Sequence, residues 1–419
     1  MCITETKIAE TKIAETKIIL TSTRRLSLIA VSLFVSTFVS DGKLAKLPLQ
    51  FLLKDRLHVA PELMAAFFGL TGLAWYFKPL AGLLSDAVPL RGSRRRNYLL
   101  LSGLGAGLLW ALLGLVPHGY GPLVWTLVAA NAFAVVASSV SGGLLVEEGQ
   151  RQGLTGRLGS LRETIIAGSS LLAQPVGGFL AERAFGWTCG VGAVLFLGLL
   201  PAALCLLPKE RAAVRKALFA ETLKAQMGPV FRSRGLWLAT AFIFLKELSP
   251  GFGTPLFYIQ TNVLHFSKLF LGGLGAVFNG AAVAGALVYA LLCLRLPLGR
   301  LLPGAIVLSA AGSLLFLGYH SHSSALTVQG VSGFLGIFAS VALMDLAART
   351  TPVGGEALGY SLLMSAFNLG LTGSDILGAW LYSHHLSFAA LVWLSAGTTL
   401  LALPLMRLIP AEALARPDR

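Results

Sequence analysis

Apolar segments of about 20 residues, separated by short polar connections, follow one another along almost the whole chain. Because a helix rises about 1.5 Å per residue, a segment of this length crosses the hydrocarbon core of a bilayer. The pattern predicts an all-α polytopic membrane protein with twelve transmembrane helices. The predicted spans are residues 27–53, 62–86, 97–116, 122–146, 156–181, 187–207, 236–263, 270–294, 301–319, 325–348, 357–383 and 387–409.

The composition supports this interpretation. Of 419 residues, 55% are hydrophobic and 12% are charged, whereas an ordinary soluble domain has about 25% charged residues. A soluble chain could not bury so much apolar surface, but a chain embedded in lipid has no need to.

The spans divide into two sets of six around a basic segment. We expect two six-helix bundles that rock against each other around a central site. The first residues repeat a Glu-Thr-Lys-Ile-Ala motif and are interpreted as a low-complexity tail. The predicted parts are a cytoplasmic tail (residues 1–25), an N-terminal six-helix bundle (26–207), a basic cytoplasmic linker (208–235), a C-terminal six-helix bundle (236–410) and a second cytoplasmic tail (411–419).

The net charge of +14 is distributed unevenly. Lys and Arg concentrate in the connections on the side that holds both termini, for example in the linker and at residues 91–96. By the positive-inside rule, that side and both termini are predicted to be cytoplasmic. The basic charge therefore reflects topology and gives no reason to expect a nucleic-acid partner.

No pattern in the sequence predicts an enzyme, a cofactor or a metal. The sequence contains no nucleophile with its base, no phosphate loop and no metal-ligand spacing. Its four cysteines are isolated from one another. All seven histidines fall in predicted outer connections, which fits exclusion from lipid but leaves an external pH sensor open. The two-bundle organisation disfavours a channel, and a sensor that binds without transporting stays an alternative.

Charged residues inside predicted spans are candidates for function because they are costly in lipid. Asp41 lies near mid-depth of the first span, where its carboxylate could bind a hydrogen-bond-donating solute or carry a coupling proton. The alternative is a structural pair with Lys43 or Lys46 in an unwound segment. Lys78 lies in the second span, about two turns before Asp86.

Two pairs of adjacent opposite charges, Arg162 with Glu163 and Lys246 with Glu247, lie in the fifth and seventh spans. Neighbouring residues on a helix point about 100° apart, so each pair is expected to find partners on other helices rather than within itself. Cross-pairing between the two bundles would form a gate that opens and closes as they rock. A static buried bridge is the alternative.

The seventh span is broken by two prolines and two glycines between Pro250 and Pro255. Such a break exposes backbone groups and is tolerated only beside protein or a wet cavity. Phe252, Phe257 and Tyr258 follow closely. They could form a platform for a flat aromatic solute, although aromatic residues in a span more often serve packing.

Further charged residues cluster near the predicted inner surface. A network of ion pairs there could hold one transporter state closed, as a conformational device rather than a solute site. The predicted cytoplasmic gate consists of Asp86, Arg94, Arg95, Arg96, Glu147, Asp345, Arg349 and Glu356.

Four segments carry a resemblance to a known family. The pattern G-x-x-S-D-x-x-P-x-x-G-x-R-R-R from Gly82 to Arg96 resembles the loop after the second helix of major facilitator superfamily transporters. The four segments are residues 47–55, 78–96, 250–258 and 347–378. Together they make the chain similar to the folate-biopterin transporter family over about residues 27–410.

The resemblance implies the major facilitator fold and uptake of folates or pterins by alternating access, with protons as the coupling ion. We expect a monomer in the plasma (inner) membrane of a bacterium, with the pteridine, protons and the lipid bilayer as its partners. The candidate residues for substrate binding or coupling are Asp41, Lys78, Arg162, Glu163, Lys246, Glu247, Phe257 and Tyr258.

The chain departs from the family pattern in places. Ser138, Ser139 and Ser141 precede Glu147, where the family usually has acidic residues, and the charged pairs in the fifth and seventh spans are unusual for it. The departures leave the carrier activity in place and the substrate open. A major facilitator carrier for another solute, such as a drug, sugar or muropeptide, is the alternative.

Overall fold

The computed structural model describes residues 23–40, 42–87, 90–91, 93, 95–115, 118–152, 155–207, 224, 227–352 and 356–415. Over these residues the backbone is helical apart from turns and short connections, with one isolated bridge between Leu90 and Ser93. The predicted all-α fold class is confirmed.

The N-terminal helices lie between residues 23 and 206. They are α1 (23–38), α2 (Lys46–Phe51), α3 (Pro61–Thr71), α4 (Leu73–Tyr76), α5 (Lys78–Ala87), α6 (Arg96–Leu115), α7 (Tyr120–Gln152), α8 (Thr155–Ala181), α9 (Phe185–Leu197) and α10 (Leu199–Leu206). A π-helical turn, Leu52–Arg56, continues α2.

The C-terminal helices lie between residues 227 and 414. They are α11 (227–232), α12 (Arg234–Glu247), α13 (Gly253–Tyr258), α14 (Lys268–Leu292), α15 (Leu298–Leu314), α16 (His322–Thr350), α17 (Glu356–Ser383), α18 (Phe388–Leu400), α19 (Ala402–Leu405) and α20 (Ala411–Leu414). A π-helical turn, Ile259–Val263, continues α13, and 3-10 turns follow α15 and α19.

Eight helical segments among the described residues are long and apolar enough to cross a membrane. They coincide with the third to sixth, eighth to tenth and twelfth predicted spans. These segments are Arg96–Leu115, Tyr120–Leu145, Thr164–Ala181, Phe185–Leu206, Lys268–Leu292, Leu298–Gly318, His322–Thr350 and Phe388–Leu408.

The other four predicted spans are also helical, but three are interrupted. A turn separates α1 from α2, and Gly72 and Phe77 separate α3, α4 and α5. The seventh leaves the helix after Glu247 and re-enters it at Gly253, because Pro250 lacks the backbone N–H that a continuing helix needs. The eleventh, α17, runs without a break, but polar residues such as Asp375 lower its hydropathy.

The hydrophobic core is continuous at one end of the molecule and divided at the other. At the end that we call the closed end, one cluster joins Phe51 and Phe67 of the N-terminal helices to Phe257 of the C-terminal helices. At the opposite end, the split end, one cluster surrounds Leu144 and a separate one surrounds Leu346. The N-terminal and C-terminal helices are therefore held together mainly at the closed end.

Two pairs of helices bring the N-terminal and C-terminal parts of the chain together. α8 packs against α14, and α3 packs against α17. At the first contact a Cβ built on Gly178 would lie 3.0 Å from the Cα of Gly272. Small residues permit this approach, which supplies the dispersion contacts that hold helices together in lipid.

Candidate functional site

The break between α12 and α13 is held by α17. Thr254 donates its backbone N–H to Asp375 Oδ1 at 2.9 Å and its hydroxyl to Asp375 Oδ2 at 2.6 Å. The Gly251 N–H donates to the Ser374 carbonyl at 2.9 Å. Gly378 lies so close to the Gly251 carbonyl that a Cβ there has no room. Asp375 and its neighbours therefore satisfy the backbone groups that the break exposes.

The charged pair at the end of α12 is bonded within itself. Lys246 Nζ and Glu247 Oε1 are 2.7 Å apart, and the two side chains are 9% and 8% exposed. Neither side chain has another hydrogen bond or ion pair to a described residue. The expectation that this pair would find partners on other helices was therefore wrong.

The reason for this pairing is local. α12 ends at Glu247, and α17 packs directly against it, since a Cβ on Gly370 would lie 2.7 Å from the Cβ of Glu247. The long, flexible lysine side chain reaches the neighbouring carboxylate inside this buried space. The pair thus buries two opposite charges whose sum is zero.

Lys78 begins α5 beside α7. Its Nζ donates to Ser138 Oγ at 2.9 Å, and its backbone carbonyl accepts a hydrogen bond from Ser139 Oγ at 3.3 Å. The ammonium also lies 5.4 Å from the centre of the Trp75 ring. Two of the three serines that distinguish this chain from the family pattern, Ser138 and Ser139, are therefore neighbours of Lys78. A half-buried ammonium among hydroxyl groups can bind an anionic partner.

Tyr76, two residues before Lys78, connects α4 to α17. Its hydroxyl hydrogen-bonds the Thr372 hydroxyl, and its carbonyl accepts from Ser365 Oγ at 3.1 Å. Lys78 therefore lies close to the place where the N-terminal and C-terminal helices meet.

The remaining charged candidates are Asp41, Arg162 and Glu163. Asp41 lies outside the described residues. Lys43, which follows it, donates to Ser170 Oγ of α8 at 2.5 Å and so ties the turn after α1 to α8. Arg162 is half-buried on α8, whereas the side chain of Glu163 lies outside the described part of the structure.

Phe257 and Tyr258 lie at the closed end and are 3% and 8% exposed. The Phe257 ring meets Phe51 edge-on, with 5.2 Å between ring centroids, and meets Tyr258 at 5.8 Å. The Tyr258 hydroxyl donates to the carbonyl of Val59. In this conformation both residues join the C-terminal helices to the N-terminal helices, as in the packing alternative.

Arg95 is buried at the split end. Its Nη2 lies 2.6 Å and its Nε 3.2 Å from Glu147 Oε1, and its Nη1 donates to Ser85 Oγ at 3.3 Å. The guanidinium covers Gly143, where a Cβ would lie 2.7 Å from Nη1. All of these partners belong to the N-terminal helices.

The other described gate candidates are also local. Arg349 Nε pairs with Asp345 Oδ1, one turn earlier on α16, at 2.7 Å, and Arg96 begins α6. The Arg95–Glu147 pair thus lies within the N-terminal helices, and the Arg349–Asp345 pair lies within the C-terminal helices. Outside the described part of the structure lie Arg94 and the side chains of Asp86 and Glu356.

Two interior contacts were not assigned a role from the sequence. Asp375 was a candidate only as a charged residue inside a predicted span, and it supports the break at α13. The bond between Tyr76 and Thr372 had no signal, since neutral hydroxyl groups are common in spans.

The sequence comparisons point to one family. The chain matches the BT1 family over residues 40–417. It is 31% identical over 391 residues to the folate-biopterin transporter of Synechocystis sp. (strain ATCC 27184 / PCC 6803 / Kazusa), which covers 88% of this chain and 78% of that protein. It is 25% identical over 408 residues to probable folate-biopterin transporter 2 of Arabidopsis thaliana, which covers 91% of this chain and 80% of that protein.

The fold is similar to those of solved transporters. A D-xylose–proton symporter superimposes with a TM-score of 0.66 at 15% identity, over 93% of this chain and 98% of the symporter. The nucleoside transporter NupG gives 0.67 at 13% identity, over 93% and 98%. At these identities the likeness shows only the fold, which is that of the major facilitator superfamily. The chain is an integral multi-pass membrane carrier and not an enzyme, and it belongs to the BT1 folate-biopterin transporter family.

Proposed function

We propose that the protein carries folate- or biopterin-type pteridines across the membrane by alternating access, in symport with protons. The observation that carries this proposal is the family match over residues 40–417. The proposal includes twelve spans in two bundles, residues 26–207 and 236–410, joined by a cytoplasmic linker. It also includes cytoplasmic termini, a monomeric carrier and a bacterial plasma (inner) membrane.

The difference between the two ends of the molecule supports alternating access. At the closed end, Tyr258 and Phe257 bridge to Val59 and Phe51. At the split end, the hydrophobic core is divided into one N-terminal and one C-terminal cluster. Since basic residues mark the cytoplasmic side, this conformation is open toward the cytoplasm. Rocking would separate the contacts at the closed end and bring the acidic and basic gate residues of the two sets of helices together at the split end.

Lys78 is the proposed substrate-binding cation. Its bond to the Ser138 hydroxyl at 2.9 Å is a hydrogen bond to a neutral acceptor. A folate carboxylate that replaced the hydroxyl would form a shorter and stronger charge-assisted bond. Asp41 is proposed for the same substrate-binding site as Lys78, because its carboxylate suits the donor edge of a pterin ring.

The Lys246–Glu247 pair is the proposed coupling element. A proton that reached Glu247 would neutralise the carboxylate and leave the ammonium of Lys246 without its only described partner. A buried unpaired charge is unfavourable, so the ammonium would then favour an anionic substrate. Proton and anionic substrate would thereby bind together. Arg162 and Glu163 on α8 remain candidates for substrate binding or coupling.

Uptake of radiolabelled folate by cells that lack their own folate carrier tests the proposal. Cells that express the protein should accumulate folate when the outside is made acidic, and a protonophore should abolish the accumulation. Uptake that ignores the pH gradient would refute proton symport. Failure to take up folate or any other pteridine would refute the substrate.

A carrier for another solute, such as a drug, sugar or muropeptide, is the competing function. The similarity to sugar and nucleoside transporters gives it no support, because identities of 13–15% show the fold alone. Competition experiments separate the two functions. Unlabelled biopterin should inhibit folate uptake, and unlabelled xylose or nucleosides should leave it unchanged.

A further inference from the structure

A polar pocket of about 120 Å³ lies at the closed end, between the N-terminal and C-terminal helices. This volume holds about four water molecules. Its charged lining residues are Asp55 and Arg56 after α2, Arg183 after α8 and Lys268 at the start of α14. Three cations therefore face one carboxylate.

The carboxylate does not neutralise these cations. Asp55 Oδ1 pairs with Lys54 Nζ at 3.3 Å, and Lys54 does not line the pocket. Within the part of the chain that the structure describes, the guanidinium groups of Arg56 and Arg183 have neither a hydrogen bond nor an ion pair. Both arginines are exposed, so their charges are available to a ligand from the aqueous side.

Lys268 is held in place by neutral groups. Its Nζ donates to the Ala181 carbonyl at 3.1 Å and lies 4.5 Å from the centre of the Phe51 ring. Both contacts are with the N-terminal helices, although Lys268 itself belongs to α14. The ammonium is thus positioned at the pocket and forms no ion pair with a described residue.

We propose that this pocket binds an oxyanion, a carboxylate or phosphate group, between Arg56, Arg183 and Lys268. Three cationic residues that line one pocket repel one another until an anion is bound, and guanidinium groups match the geometry of oxyanions. Because Lys268 belongs to the C-terminal helices and both arginines to the N-terminal helices, the bound anion bridges the two parts. It thereby stabilises the closed end. A soluble anion and the phosphate of a lipid headgroup share this chemistry.

Equilibrium binding of radiolabelled inorganic phosphate to the purified, delipidated full-length protein in a neutral detergent tests the proposal. The wild type should bind one phosphate per chain in a saturable manner. Arg56→Gln, Arg183→Gln and Lys268→Gln should each weaken binding about tenfold or more, since each removes a charge-assisted contact. The two arginines are exposed, so their replacement leaves the core intact. Arg300→Gln removes an exposed cation of α15 at the split end and is the matched control, with unchanged binding.

Competition identifies the natural source of the anion. Displacement of phosphate by phosphatidylglycerol assigns the pocket to a lipid headgroup, and displacement by citrate but not by this lipid assigns it to a soluble anion. Either result supports the pocket. Absence of saturable binding, or equal binding by the wild type and the Arg56→Gln/Arg183→Gln double variant, overturns the proposal. None of these measurements depends on which solute the protein transports.

Discussion

Replacing Glu247 by Gln should leave the ammonium of Lys246 buried without a counter-charge. The two side chains are 9% and 8% exposed, their charged atoms are 2.7 Å apart, and neither has another partner among the described residues. Loss of one member of a buried pair typically costs about 3–5 kcal/mol. We therefore expect Glu247→Gln to lower the free energy of unfolding by about 3–5 kcal/mol.

Unfolding by SDS in mixed micelles, followed by tryptophan fluorescence, measures this loss. The double variant Lys246→Met/Glu247→Leu should recover most of it, because it removes both charges and keeps the volume apolar. It should nevertheless fail to transport, since the coupling groups are gone.

The Lys54–Asp55 pair provides the matched control. It also joins adjacent residues, at 3.3 Å, but the Asp55 side chain is 46% exposed. Asp55→Asn should therefore cost less than about 1 kcal/mol. Equal losses for Glu247→Gln and Asp55→Asn would refute the reasoning from burial.

Three further substitutions test other parts of the account. Lys78→Ala should abolish folate uptake at unchanged surface expression, because the substrate loses its cation, and normal uptake would exclude Lys78 from the site. Asp375→Asn should lower the free energy of unfolding by about 1–3 kcal/mol, because the N–H and hydroxyl of Thr254 lose a charged acceptor; an unchanged unfolding curve would show that other contacts hold the break. Asp86→Asn should lower kcat with little effect on KM in uptake assays, as expected of a conformational part, and a change confined to KM would contradict that role.

The continuous helices could be predicted closely from hydrophobicity. The predicted spans 97–116 and 325–348 correspond to Arg96–Leu115 and His322–Thr350. The agreement has a physical reason, since about 20 apolar residues are needed wherever a helix crosses lipid. The apolar pattern therefore predicts most of the continuous helices.

The interruptions were predictable only where the backbone chemistry forces them. Pro250 and its neighbouring glycines predicted the break after α12. The interruption after α3 had only the weak signal of a single glycine, Gly72, and it is accompanied by a tertiary contact in which Asn131 Nδ2 of α7 donates to the Thr71 carbonyl at 2.8 Å. No local pattern reports a partner that lies about 60 residues away.

Charge pairings were the least predictable feature of the site. The rule that charged residues inside predicted spans are candidates identified Lys246, Glu247 and Lys78 as interior groups. Their partners depend on where each helix ends and how it is rotated, which the sequence does not report. Lys246 pairs with its own neighbour because α12 ends there, and Lys78 finds Ser138 because α5 begins beside α7.

Counterflow in proteoliposomes tests the central claim most directly, because it requires a carrier that exposes its site alternately to the two sides and needs no knowledge of the coupling ion. Purified protein is reconstituted into vesicles loaded with unlabelled folate, which are then diluted into a trace of labelled folate. Alternating access predicts a transient accumulation of label above the external concentration, lost in Lys78→Ala vesicles and retained in Lys54→Ala vesicles. Absence of that accumulation with folate and with biopterin would contradict the account.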